Sequence, residues 1–403
     1  MLTLPAPPAD LLTTPPRLAE LCDHLRSAGT FAFDTEFIGE TTYHPILCLI
    51  QVATAQRVEM IDPFALDRQA LLPFWQLLAD PSLLKICHAG DQDAEIAWLE
   101  SGLVPQNMFD TQIAAGMLGI TYPTALWRAV EHFTGIALEK AHTFSAWNRR
   151  PLSRDQFAYA IDDVRYLPAI HHPMCQQLEA LGHMPWMRAA CDDMCAESAQ
   201  PVNARQLFTR IRGAAGLRPQ NLAVLREITA LREQHAYELN VPARTFLKDE
   251  VLFDIAQRTP MTPAELARIR DLPPEEIAAT CTELLAAVKR GLAVPESDRP
   301  TIFIPPEDSA EIKRLAETLW VAAQVICLGQ LVNPALVTSQ SEITALARLV
   351  HQKRPFTTHP LMHGWHGECL GTKLAAFVAG QLHIDLTLAN ETLRATFTPR
   401  TTK

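Results

Sequence analysis

Asp34 and Glu36 stand two apart in FAFDTEF (31–37), where Phe31, Ala32, Phe33 and Phe37 otherwise read as a buried strand. Side chains alternate faces along a strand, so both carboxylates project from the same side. Two like charges held against a core cost free energy unless something positive joins them. Asp93 lies early in DQDAEIAWLE (91–100), which reads as a helix following a strand that leads through His88. Tyr159 and Asp163 are four apart in AYAIDDVRYL, so they share one helix face. Hard carboxylate oxygens suit Mg²⁺ or Mn²⁺, which bind few carboxylates and keep positions open for water and phosphate. Two such ions about 3.5–4 Å apart stabilise both the attacking and the leaving oxygen of an in-line phosphoryl displacement.

Each piece alone has a plainer reading. A D-x-E pair occurs at solvated strand edges, and an Asp near a helix start is usually a cap or a complement to the helix dipole. Tyr and Asp at i,i+4 are usually an exposed pair. The order and spacing of all five residues together favours the metal reading.

The elements that must position them read as follows. FAFDTEF, ILCLIQVAT (46–54) and RVEMIDP (57–63) are three successive strands, and FWQLLAD (74–80) fits a helix. LLKICHAG (83–90) is a strand leading into the helix of Asp93, and NMFDTQIAAGMLG (107–119) gives another strand and helix. DQFAYAIDDVRYLPAIHHPMCQQLEALG (155–182) reads as one long helix. Together they suggest a mixed sheet with helices packed on it. Beyond about residue 200 helices dominate. NLAVLREITALREQHAYELN (221–240) is one. MTPAELARIR (261–270) opens with Thr262 as N-cap, Pro263 at N1 and Glu265 at N3. PPEEIAATCTELLAAVKRGL (273–292) ends in basic residues and Gly291. A proline-rich joint at 294–309 precedes a second helical segment, 310–385.

At 403 residues, 48% hydrophobic and 20% charged, the chain has the composition of an ordinary globular protein with room for two or three domains. No apolar run reaches the roughly 18 residues of a membrane span. The N-terminus MLTLPAPPAD lacks a basic leader region, so the expected location is the cytoplasm. Nine scattered cysteines then read as reduced thiols. His171, His172, Cys175, His183, Cys191 and Cys195 can be drawn as a zinc site, but their spacing lacks the paired short knuckles of structural zinc, and buried helix cysteines are the favoured reading. No GxxxxGK[ST] loop occurs, so nothing points to a nucleoside triphosphate. Residues 1–200 carry 12 Lys and Arg against 24 Asp and Glu, and residues 201–403 carry 23 against 21. A polyanion meets the first half poorly without cations and the second half more easily.

FDTEF, HAGDQD with His88 five before Asp93, and Tyr159-x-x-x-Asp163 resemble the three exonuclease motifs of the DEDD nucleases, in the branch named for its tyrosine. TYHPILCLIQVA, IDPFAL, FDTQIAA and LEKAHTFSAWNRRPLSRDQFAYAIDDVRYL are similar to the ribonuclease D family. Residues 215–295 resemble its helicase-and-RNase-D C-terminal (HRDC) domain, and 310–385, with SQSEITALARLV and GWHGECLG, a more divergent second copy. The resemblance implies an α/β ribonuclease H-like exonuclease domain over 1–205, an HRDC domain over 206–297 and a second, HRDC-like all-α domain over 298–403. It implies 3′→5′ hydrolysis of RNA with a free 3′ end, tRNA precursors among the substrates, releasing nucleoside 5′-monophosphates with two Mg²⁺ or Mn²⁺ ions, in a monomer. Asp34, Glu36, Asp93 and Asp163 match the metal ligands, and Tyr159 the group that orients the attacking water. The spacings select Asp93 and Asp163 over the rival carboxylates Asp91 and Asp162. Lys140 matches a basic position that approaches substrate phosphate, and His88 is a further candidate substrate contact. Ala146 departs from the family, which often has an acidic residue before the tryptophan, here Trp147. Two other readings are a 3′→5′ exonuclease acting mainly on DNA and a non-catalytic RNA-binding scaffold. Matched RNA and DNA substrates separate the first, and the filled active-site positions argue against the second.

Overall fold

The computed structural model describes residues 4–138, 146–201, 203–272, 274–303, 307–389 and 392–400. Five strands form the main sheet: β1 (Thr30–Ile38), β2 (Ile46–Ala53), β3 (Val58–Ile61), β4 (Leu84–Cys87) and β5 (Met108–Asp110), in the order β3-β2-β1-β4-β5. The sheet is mixed. β2 and β3 run antiparallel, and β1, β4 and β5 run parallel with Ala32 opposite Ile86 and Ile86 opposite Phe109. β1 is therefore the central strand, and Phe31, Ala32 and Phe33 are buried on both of its faces.

Among the described residues, eight helices accompany the sheet: α1 (Pro15–Ala28), α2 (Arg68–Ala79), α3 (Asp91–Ser101), α4 (Thr111–Met117), α5 (Leu126–Thr134), α6 (Arg154–Arg165), α7 (Leu167–Leu181) and α8 (Met184–Ser198). The continuous helix expected over 155–182 is thus two helices that meet at Tyr166. Pro168 has no N–H to return to the carbonyl of Val164, so the first helix stops and a second starts with the proline in its opening turn.

The next helices are α9 (Pro219–Leu239), α10 (Ala243–Phe246), α11 (Asp249–Arg258), α12 (Pro263–Leu266) and α13 (Pro274–Leu292). Val224, Leu225 and Ile228 of α9, Leu252 and Ile255 of α11, and Leu284 and Val288 of α13 build one core. Thr262 and Glu265 form the expected capping box, although α12 is a single turn. Gly291 lies inside α13 and does not terminate it. A Cβ there would sit 2.4 Å from the Cα of Val224, so the glycine lets two backbones meet. The last segment holds α14 (Ala310–Gly329), α15 (Pro334–Val337), α16 (Gln340–His351), α17 (Gly364–His366) and α18 (Thr372–Val378). It ends in a ribbon of β6 (Leu382–Ala389) and β7 (Thr392–Pro399), an addition to the helices expected there.

The chain divides into two compact units, and the division is discontinuous. One comprises Met1–Glu36, Leu47–Gln200 and Asp308–Lys403, and the other Phe37–Ile46 and Pro201–Glu307. Within the first, the last segment is fastened to the sheet-bearing part. Asn333 donates its backbone N–H to the Gly116 carbonyl (2.8 Å) and its side-chain amide to the Ile120 carbonyl (3.1 Å). Trp365 donates to Asp193 (3.1 Å) and Trp186 to Glu368 (2.9 Å). The Asn333 side chain also caps α15 by accepting from the Ala335 N–H. Asn333→Ala removes one cap and one hydrogen bond across this seam, together about 2 kcal/mol. The expected outcome is a melting temperature lower by a few degrees, whereas an unchanged value in calorimetry would show that the seam carries little stability.

Candidate active site

The polar half of β1 follows directly on its buried half. Thr35 turns to α3, where its N–H (2.9 Å) and hydroxyl both donate to the same carboxylate oxygen of Asp93. Asp93 is 5% exposed, in the first turn of α3, where an anion also complements the dipole. The start of α3 lies hard against the end of β4. A Cβ at Gly90 would sit 2.4 Å from the Cys87 sulfur, so only glycine allows the approach. Asp110, at the end of β5, accepts from the Gly90 N–H (2.8 Å) and the Gln112 N–H (2.7 Å) and ties the turn down.

The other wall is α6, whose register is set by the capping box of Ser153 and Gln156. One and two turns on, Tyr159 and Asp163 hydrogen-bond to each other. The Trp147 ring lies 6.0 Å from that of Tyr159. Its turn is anchored by Arg150, which grips both carboxylate oxygens of Asp62 (2.8 Å each) and donates to the carbonyls of Cys48 (2.6 Å) and Trp147 (2.8 Å). At Ala146 the backbone carbonyl accepts from Gln156 (3.4 Å), a contact that needs no particular side chain.

Of the five residues singled out above, Asp34, Glu36 and Asp163 come together, with one carboxylate oxygen from each within 4.8 Å of the others. Asp93 acts electrostatically on all three, and Tyr159 is held by Asp163. The carboxyls are packed round by protein while the side chains keep an exposed edge. Burial, then the charges of Asp93, Asp163 and Glu36, raise the Asp34 carboxyl well above its usual range. Burial, then Asp163 and Asp93, pushes Glu36 up to about 9, offset in part by the amide of Gln51 on β2. Asp163 and Asp93 each rise to about 7, burial again being the largest cause. Burial and then Asp163 raise the Tyr159 phenol, so it stays protonated at any working pH.

Among the rivals, Asp162 is engaged by Arg165 at 2.6 Å. His88 spends one ring nitrogen on the Thr111 hydroxyl (2.8 Å) and the other on the Thr124 carbonyl (2.9 Å), and burial lowers its pKa. Lys140 lies outside the described residues. The drawn zinc set does not assemble as a metal site among the described residues. Cys175 pairs with His171 (3.1 Å), His183 meets the Met117 carbonyl (2.8 Å), and Cys191 and Cys195 are buried on α8. Sequence reasoning missed Thr35, Gln51 and Arg150. The one signal for Gln51 is an amide inside the apolar run ILCLIQVA.

A crowded set of carboxylates, each made costly to ionise first of all by burial, has the hard-oxygen chemistry that Mg²⁺ or Mn²⁺ selects. The residues fit such an ion. The family model for a 3'-5' exonuclease matches residues 10–179, and the HRDC domain model matches 221–288. Sheet and acidic site thus define a 3′-5′ exonuclease followed by an HRDC domain, in a family that uses divalent metal. The chain is 32% identical to ribonuclease D of Nitrobacter hamburgensis, over 93% of this chain and 96% of that one. It is 35% identical to ribonuclease D of Granulibacter bethesdensis, over 93% and 94%. The crystal structure of Escherichia coli RNase D, described as an exoribonuclease involved in structured RNA processing, is 28% identical. It matches with a TM-score of 0.80, over 92% of this chain and 98% of that one. The chain belongs to the ribonuclease D family and is a 3′-5′ exoribonuclease. Among the described residues, no helix is long and apolar enough to cross a membrane.

Raised carboxyl pKa values carry a stability consequence with a definite sign. Between the unfolded value near about 4 and the folded value, the folded chain binds more protons than the unfolded one. Metal-free stability is therefore full below the unfolded value. It falls as pH rises through about 7 for Asp93 and Asp163 and about 9 for Glu36. With a chelator present, the melting temperature is expected to drop between about pH 5 and about pH 9. Asp34→Asn should flatten that drop, and Mg²⁺ should raise the melting temperature more at the upper end than at the lower. A profile equally steep in the variant would remove Asp34 from the repelling cluster.

Proposed function

We propose that the protein trims the 3′ ends of RNA, tRNA precursors among them, by two-metal-ion hydrolysis that releases nucleoside 5′-monophosphates. The observation that carries this is the convergence of Asp34, Glu36 and Asp163, with Asp93 and Tyr159 tied in beside them. Asp34, Glu36, Asp93 and Asp163 would hold two Mg²⁺ or Mn²⁺ ions, which supply charge stabilisation to the attacking and leaving oxygens. The chain's own groups do the rest. Asp163 fixes the Tyr159 phenol, and the protonated phenol orients the attacking water. Thr35 holds Asp93 by two donors to one oxygen, so its other oxygen remains for the ion. Lys140 is assigned to a substrate phosphate. His88, with both ring nitrogens engaged by Thr111 and Thr124, is assigned to the turn and not to substrate. The protein acts as a cytoplasmic monomer without a nucleoside triphosphate.

The test is digestion of 3′-extended tRNA, single-stranded RNA and matched DNA, with Mg²⁺ and Mn²⁺ in parallel. Metal-dependent release of 5′-monophosphates, faster from RNA than from DNA, is expected. Products ending in 3′-phosphate, or internal cuts, would overturn the mechanism.

Tyr159→Phe separates water positioning from binding. The hydroxyl acts in the transition state and not in the ground state, so the rate constant should fall roughly a hundredfold or more while RNA affinity stays near the parent's. If weakened binding accounts for the whole loss, Tyr159 is a substrate contact instead.

A further inference from the structure

The second unit joins two stretches far apart in sequence, the turn that follows β1 and the HRDC segment, through three aromatic rings. His44 sits edge-on to Tyr237 of α9 at 4.6 Å between centroids, and Tyr43 lies 5.9 Å from Tyr237 and 5.1 Å from His44. Tyr43 and His44 are held by hydrogen bonds. The Thr42 hydroxyl donates to the His44 carbonyl (2.7 Å), and the His44 N–H donates to the Asn240 side chain (3.0 Å). The Tyr43 phenol is bound to Glu233, which Arg232 holds at 2.9 Å. Yet Tyr237 itself is 59% exposed. A large aromatic ring fixed in place and turned to solvent forgoes burial that an inward ring would gain.

We propose that the Tyr237 ring, steadied by His44 and Tyr43, is a stacking platform for a nucleobase of the RNA strand. The proposal rests on RNA as the substrate and adds the residue that grips it. Stacking suits the task, because every base has a π-face and an enzyme that consumes successive nucleotides must hold any base in turn. A ring already packed edge-on against two neighbours also loses little side-chain freedom when the base arrives. The turn that supplies His44 leaves the same strand that carries Asp34 and Glu36, and the helix that supplies Tyr237 lies within the HRDC match.

The bland alternative is that the rings only pin the turn to α9. Full-length parent, Tyr237→Phe and Tyr237→Leu are compared for binding to single-stranded oligoadenylate, with a chelator present so that the RNA stays intact. Phe keeps the ring and should match the parent. Leu keeps apolar contact with the turn but has no π-face, and should bind about tenfold more weakly. The slope of log affinity against log salt should not change, since no phosphate contact is lost. Tyr237→Phe should melt with the parent and Tyr237→Leu slightly lower, since it loses two edge-to-face contacts, so binding is compared at a temperature where all three are folded. Parental affinity in Tyr237→Leu would overturn the platform, whatever its melting temperature. So would equal weakening in Phe and Leu. A parent that neither binds nor digests oligoadenylate would instead count against RNA as the substrate, which keeps the two failures distinct.

Discussion

The rest of the candidate site answers to the burial and mutual repulsion of the carboxylates gathered in it. Three oxygens within 4.8 Å of one another, if all ionised, repel by about 3 kcal/mol per pair at an effective dielectric near 20. Summed over the pairs, that approaches the whole stability of an ordinary domain. Nothing in such a cluster assembles itself. It must be forced together by elements that are stable for other reasons, and it must be relieved by protons or by cations.

The forcing is visible in where each carboxylate is mounted. Asp34 and Glu36 ride on the central strand, whose preceding residues Phe31, Ala32 and Phe33 are buried on both faces. Asp93 comes from a helix pressed against β4 through Gly90 and is clasped by Thr35, so its position is fixed before any ion is considered. Asp163 comes from a helix whose register is set ten residues earlier by a capping box. The Arg150 grip on Asp62 keeps the turn of Trp147 on β2 and β3, and Trp147 in turn backs Tyr159. Each support is local, neutral or internally paired, and so adds no charge to the cluster.

What was legible in the sequence follows from the range of the interactions. Asp34 and Glu36 stood out because a carboxylate in an apolar strand violates a local rule. Tyr159 and Asp163 stood out because a four-residue spacing fixes a helix face. The break at Pro168 was equally local and was there to be read. Thr35 and Arg150 were hidden because their types are ordinary and their partners lie 58 and 88 residues away. The discontinuous unit was hidden for the same reason. The fastening of Asn333 to Gly116 is a meeting of a helix cap with the last turn of α4, and no periodicity announces it. The terminal ribbon is different, since LHIDLTLA alternates in the manner of a strand, and the helical company it keeps masked a signal that was present.

The charge of the site also governs what can approach it. Residues 1–200 carry twice as many acids as bases, so a polyanion nearing the carboxylates meets repulsion from both the cluster and its surroundings. Protons relieve the first repulsion at low pH, since Asp93 and Asp163 titrate at about 7 and Glu36 at about 9. A protonated carboxyl, however, is a poor ligand, so near neutrality protons and cations compete for the same oxygens. An ion held by these oxygens would displace their protons and offset the charge that repels phosphate. The burial that makes these carboxyls costly to ionise is what would couple proton release to ion binding.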